Sequence, residues 1–160
     1  MATLLNPRKA FNFRISFPGF PGMPVFSVQK VTMPEETVEK VEHGLGNSRI
    51  NTAGQYVCSD ANLERIIPAK IHDDSRTVNK FFRDWQRAAQ DPITGGGSDP
   101  IIYKRLVLVE ELANDGVTVL NSYVMTGAWP TKINGREYSR TESSNVVETV
   151  DLSTDVVPYV

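Results

Sequence analysis

The sequence predicts an α+β fold that is mainly β: two packed antiparallel sheets forming a barrel or sandwich, with one α-helix on the flank. Three observations predict it. Phe11–Phe17 (FNFRISF) puts Phe11, Phe13, Ile15 and Phe17 on one face and Asn12, Arg14 and Ser16 on the other. That period of two is the mark of a half-buried strand. Thr77–Gln90 (TVNKFFRDWQRAAQ) instead repeats its apolar residues at helical spacing. After it the chain has only strand character, broken by Gly-rich and Asp-Gly turns.

The elements follow in order. Pro18–Pro24 (PGFPGMP) is a turn cluster, because proline pre-sets φ and glycine tolerates positive φ. Val25–Met33 carries β-branched and aromatic residues on both faces and reads as a covered strand. Glu35–Glu42 (EETVEKVE) reads as extended and polar, since Val and Thr favour a strand over a helix there. Residues 43–61 show no clear periodicity and hold three glycines, which predicts a long protruding loop. Leu63–Ile71 returns to strand character, with Pro68 arguing for an edge or a bulge. Asp73, Asp74 and Ser75 offer caps for the helix that follows. In that helix Phe81, Phe82 and Trp85 form the centre of the core-facing stripe, about 21 Å long over fourteen residues. Residues 91–100 (DPITGGGSDP) read as a flexible connection. Ile101–Glu110 and Val117–Val124 form a hairpin about Asn114-Asp115-Gly116, and Val146–Leu152 is the closing strand.

At 160 residues the chain is the size of a single domain that buries its own core. It contains no apolar run long enough to span a bilayer and no signal-peptide pattern, so synthesis and use in a cytoplasm are expected. Its single cysteine, Cys58, cannot form an internal disulfide and is expected as a free thiol in a loop. Net charge is −2, which excludes bulk attraction to nucleic acid or anionic membrane. The distribution is uneven: residues 1–30 hold four basic groups and no acid, whereas residues 91–160 hold five basic and ten acidic groups. A chance gradient explains this, and so does complementary charge at opposite ends of a stacking subunit.

No chemistry is legible. Gly95-Gly96-Gly97-Ser98 lacks the Gly-Lys-Ser/Thr of a phosphate loop. His43 and His72 lack metal-ligand spacing and partners. The adjacent acid pairs Glu35/Glu36, Asp73/Asp74 and Glu110/Glu111 point apart on a strand or cap a helix. The sequence therefore predicts no enzyme, no cofactor and no metal. The rival classes are a structural building block and a monomeric ligand-binding β-barrel, the second requiring a concave apolar pocket.

The order of these segments resembles a family. An opening FNFRISF strand leads to a Pro/Gly turn. An acidic extended segment then ends in Glu42-His43-Gly44-Leu45-Gly46. A Phe-x-x-Trp helix (Phe82–Trp85), a strand pair over an Asp-Gly turn, Ala128-Trp129-Pro130-Thr131-Lys132 and a Val/Glu-rich closing strand complete the set. From Phe11 to Leu152 the chain is similar to the tail tube proteins of contractile-tailed bacteriophages, relatives of type VI secretion tube proteins and of phage-tail-like bacteriocin tubes. The resemblance implies hexameric rings that stack head-to-tail into a hollow conduit within a contractile sheath. It also implies contacts with sheath, baseplate and tail-terminator proteins, DNA passing non-specifically through the lumen, and a place in the virion tail. Within that frame Gly44, Leu45, Gly46, Asn47, Arg49 and Tyr56 are expected to contact the next ring. Glu35, Glu36 and Glu39 are expected to supply lumen charge.

Overall fold

The computed structural model describes residues 12–20, 28–66, 75–136, 138, 140–141 and 146–156. Eight strands, β1 (Phe13–Ser16), β2 (Lys30–Thr32), β3 (Glu36–Leu45), β4 (Ser48–Cys58), β5 (Ala61–Ile66), β6 (Arg105–Leu112), β7 (Val119–Ile133) and β8 (Val147–Ser153), accompany helices α1 (Ser75–Ala89) and α2 (Pro100–Tyr103). All strand pairings are antiparallel, in a six-stranded sheet ordered β1-β6-β7-β8-β5-β2 and a two-stranded sheet β3-β4. The mainly-β architecture with one substantial helix is therefore as the sequence predicts. The six-stranded sheet is open among the described residues, with β1 and β2 as its two edges.

The shape of this sheet is set within β7. Up to Ala128 its partner is β6; from Trp129 onward its partner is β8. Between them Gly127 takes φ +64°, which a residue with a side chain resists, so the strand turns a corner there. Pro130 lies in the strand at a register shift, where a missing N–H donor is tolerated. Trp129-Pro130 thus lies inside a 15-residue strand.

The two halves of the sheet and α1 enclose one core. It gathers Val107 and Val109 from β6, Met125 and Ala128 from β7, Ala61 and Leu63 from β5, Val150 and Leu152 from β8, and Val78, Phe82 and Trp85 from α1. Phe17, just after β1, meets Phe82 and Trp85 edge-on with centroids 6.1 and 6.3 Å apart. Phe81 is only partly buried and packs against Phe20 at 4.9 Å. The Trp85 indole donates to the Tyr103 carbonyl at 2.6 Å, so its one polar atom is satisfied.

Two connections differ from the sequence reading. Residues 91–99 are tightly bonded: Asp91 N–H donates to Gly96 O, Gly95 N–H to Asp91 O, and Ser98 N–H to Ala88 O. At Gly97 an added Cβ would lie 2.2 Å from the Ala89 carbonyl oxygen, so only glycine allows this closeness to the helix end. Next, Ile101–Tyr103 is a helical turn and not a strand, because Asp99 accepts from Ile101 N–H as its N-cap and Pro100 occupies the first turn. The Asn114-Asp115-Gly116 turn is where it was expected: Gly116 has φ +71°, and the Asp115 carboxylate accepts from the Val117 and Thr118 N–H groups. The cap at Asp73 and Asp74, Phe11, His72, and residues 21–27 and 67–71 lie outside the described residues.

Candidate assembly surface

The segment read as a loop is a β-hairpin. β3 and β4 pair from Glu36↔Cys58 to Leu45↔Ser48, closed by a two-residue Gly46-Asn47 turn in which Gly46 has φ +57°. Burial could not reveal it, because every residue of both strands is exposed except Cys58. The period-two signal of a strand comes from one face being buried, and here neither is. Cys58 accordingly stands at a strand end, its thiol 3.2 Å from the Thr154 hydroxyl, and not in a loop.

This hairpin is an arm that prolongs the body of the protein. β3 continues β2 after Met33–Glu35, and β4 runs into β5 after Ser59 and Asp60. At the base, Ser59 N–H donates to Glu35 O at 2.9 Å and Glu35 N–H to the Ser59 hydroxyl at 2.8 Å. Ten residues of β3 project about 33 Å. A lone two-stranded hairpin is marginal in water, so an arm of this length calls for a partner.

The arm has two unlike faces. Directly opposed residues share a face, which groups Glu36, Val38, Lys40, Glu42, Arg49, Asn51, Tyr56 and Cys58 on one side. Contacts agree: Lys40 Nζ lies 2.7 Å and Arg49 Nη1 3.8 Å from the Glu42 carboxylate. On this face the Tyr56 phenol is pushed up to about 12, chiefly because it hydrogen-bonds to the Glu36 carboxylate. The other face holds Val41, Leu45, Ile50 and Val57, exposed by 41, 59, 48 and 43%, together with Glu39, Thr37, His43 and Thr52. His43 Nε2 and the Thr52 hydroxyl are 3.0 Å apart there. Gly54 sits at a bulge, where an added Cβ would approach Val41 Cγ2 to 2.8 Å.

The residues singled out from sequence thus fall in different places. Gly44, Leu45, Gly46, Asn47 and Arg49 cluster at the arm's tip. Tyr56 is near its base, eight residues or about 26 Å along β4 from Ser48. Glu36 belongs to the charged face, Glu39 to the apolar one, and Glu35 precedes the strand.

Sequence reasoning missed a second feature, the seam between the sheet edges. A cleft of about 460 Å³ opens where β1 and β2 fail to meet, lined by Phe13, Val31, Met33, Val109, Leu112 and Tyr123 among others. Glu111 also lines it, accepting from Asn121 Nδ2 at 3.0 Å and the Tyr123 hydroxyl at 3.1 Å. Among the described residues no group of three or more His, Cys, Asp or Glu could hold a metal ion.

Comparison with known proteins places this fold in a family. The tail tube protein gp19 of Enterobacteria phage T4 is 29% identical over 131 residues, 80% of this chain and 76% of the phage protein. The fold is shared with a chain of the sheath-tube complex of the PVC extracellular contractile injection system in its extended state, at TM-score 0.71 and 16% identity, covering 98% of this chain and 93% of that one. It is shared more distantly with Hcp1 from Flavobacterium johnsoniae, at TM-score 0.53 and 11% identity, covering 92 and 93%. Residues 9–157 match the family described as T4-like virus tail tube protein gp19; this chain belongs to that family, as a structural protein and not an enzyme.

Proposed function

We propose that this chain is the repeating subunit of a hollow tail tube in a virion, six copies closing into a ring and the rings stacking head-to-tail. The observation that carries the reading is the arm: two long strands, exposed on both faces, that prolong β2 and β5 beyond the body. Unpaired strand edges are a hazard for a monomer, and closing them against neighbouring copies into a shared barrel removes the hazard. Residues 43–61 then serve in contacts between rings, with Gly44, Leu45, Gly46, Asn47 and Arg49 leading. A non-closing heterologous contact of this kind gives a filament and not a dimer.

The charged face of the arm suits a DNA conduit. Its acids Glu36 and Glu42 are matched by Lys40 and Arg49, so it neither grips phosphate nor strongly expels it. The fold shared with a subunit of a sheath-tube complex supports a sheath around the tube. Baseplate and terminator proteins would meet its two ends.

The test is negative-stain electron microscopy of the purified chain and of a variant whose residues Lys40–Ala53 are replaced by Asn-Gly. The parent is expected to give hollow tubes or six-fold rings. The short-arm variant should keep its circular dichroism and melting profile and form no tubes. A parent that stays monomeric at every concentration, or a variant that elongates normally, would overturn the reading.

A further inference from the structure

One pair of neighbours in this chain is chemically labile in water. Asn134-Gly135 is the single Asn-Gly step in the sequence. Asparagine is thermolabile because the backbone nitrogen of the next residue attacks its side-chain amide carbon and closes a ring. A β-carbon on that next residue hinders the approach, and glycine has none. Gly135 is exposed, and an added Cβ there would meet nothing within 4 Å. Its N–H donates to no backbone acceptor among the described residues.

The pair lies where β7 leaves the sheet. The last residue of β7, Ile133, is paired with Val150 of β8. Asn134 then makes two bonds to one residue of β8. Its N–H donates to Thr149 O at 3.0 Å, and its side-chain Nδ2 donates to Thr149 Oγ1. The amide group that would leave is thus the one that is held. Ring closure needs the Asn134 side chain to swing toward the Gly135 nitrogen, so the bond to the hydroxyl must break first. We propose that Asn134 is a covalent modification site, deamidating through Gly135 at a rate set by the Thr149 hydroxyl.

Water is the only co-reactant, and nothing is oxidised or reduced. The Gly135 nitrogen gives up its proton and bonds to Asn134 Cγ. The Cγ–Nδ2 bond breaks, and ammonia leaves with that proton. Water then opens the imide at either carbonyl. One opening leaves aspartate with the main chain unaltered; the other leaves isoaspartate, whose main chain carries one more carbon. Each product places a new negative charge two residues before Arg136, whose Nη2 lies 3.6 Å from the buried Glu148 carboxylate. Aspartate keeps a partner, since the Thr149 hydroxyl turns to donate to it. Isoaspartate displaces Gly135 and Arg136 along β8 and so loosens the outer side of the Glu148 cluster.

Peptide mapping by mass spectrometry of the full chain, kept dilute at mildly alkaline pH and well below its melting point, tests the site. The folded parent should lose the Asn134 amide faster than its other asparagine amides, yet more slowly than the same chain in urea, where Thr149 holds nothing. T149V should raise the folded rate about fivefold, the effect of one ordinary hydrogen bond on a rate. T149S keeps the hydroxyl and should stay within about twofold of the parent. G135A should slow the reaction in both the folded chain and urea. A folded parent that modifies Asn134 no faster than its other asparagines would overturn the proposal. So would T149V at the parent's rate, or T149S as fast as T149V, which would make the hydroxyl irrelevant.

Discussion

Glu148 offers the sharpest test of how the fold holds itself together. Its carboxylate is 1% exposed, and the Arg65 side chain directly across the β5–β8 ladder is 6% exposed. Arg65 grips one carboxylate oxygen through both Nε, at 2.6 Å, and Nη2. Asn79 of α1 donates to the other oxygen, which Arg136 approaches at 3.6 Å. Replacing Glu148 by Leu takes from the buried Arg65 guanidinium the carboxylate it grips, and replacing Arg65 by Met leaves the buried carboxylate with only Asn79 and the more distant Arg136. Each single change is expected to cost about 3–5 kcal/mol, the usual penalty for breaking a buried pair. For a domain of this size that is a melting-point loss of about 6–20 °C. R65M/E148L together removes both charges and fills the space with apolar atoms, leaving Asn79 Nδ2 without its acceptor at about 1 kcal/mol. The double variant should therefore be more stable than either single one. Urea unfolding of the four chains, run dilute enough to keep them unassembled, gives the cycle directly. Losses that simply add, or single variants within about 1 kcal/mol of the parent, would refute the reasoning.

Other consequences are open to simpler experiments. Phe82→Ala empties the centre of the core beside Phe17 and Trp85 and should cost about 3–5 kcal/mol by denaturant unfolding, while Phe81→Ala, only partly buried, should cost clearly less. Gly127→Ala forces a side chain into positive φ, at about 1–2 kcal/mol, and drives its Cβ to 2.1 Å from the Asp155 carboxylate that Lys104 holds at 2.8 Å. Thermal melting should show the loss, and an unchanged melt would mean that β7 does not need its corner. Spectrophotometric titration should find one tyrosine near 12; Glu36→Gln should bring it back toward the ordinary value of 10.0, since the hydrogen bond to the carboxylate is the main cause. The sign follows: a phenol whose pKa is raised on folding adds stability below pH 10, and that part is lost as pH rises toward 12. If the charged face lines the bore, Glu36→Lys with Glu42→Lys leaves it cationic and should slow DNA ejection from reconstituted particles. Ejection at the parent's rate would take that face out of the lumen.

Legibility in the sequence followed burial. α1 and β8 were readable because each buries one face, and the buried residues recur at period 3.6 or two; in β1 Phe13 and Ile15 are at least shielded while Arg14 between them is exposed. The arm was unreadable for the opposite reason: with both faces in solvent, Val41, Leu45, Ile50 and Val57 leave no contrast between inside and outside. The Gly46-Asn47 pair between two extended segments was the one hairpin signal available, and two nearby glycines, Gly44 and Gly54, obscured it. α2 carried a usable sign in Asp99-Pro100, a cap followed by a proline at the first helical position. Pro130 sits within β7 because a register shift lets the strand pass through a residue that has no N–H to donate.

By itself the sequence determined the class of fold, the one core helix, the absence of a catalytic set and the family resemblance, all of which depend on local periodicity or on the order of segments. Only the tertiary structure decided what lies far apart along the chain. It paired Arg65 with Glu148 across 83 positions, made the 43–61 segment half of an arm with one charged and one apolar face, and left β1 and β2 apart with an apolar cleft between them. Local sequence reports which face of a segment prefers water. Which segment then covers that face is settled by register and by the turning of a strand such as β7 at Gly127, and no local window contains that information.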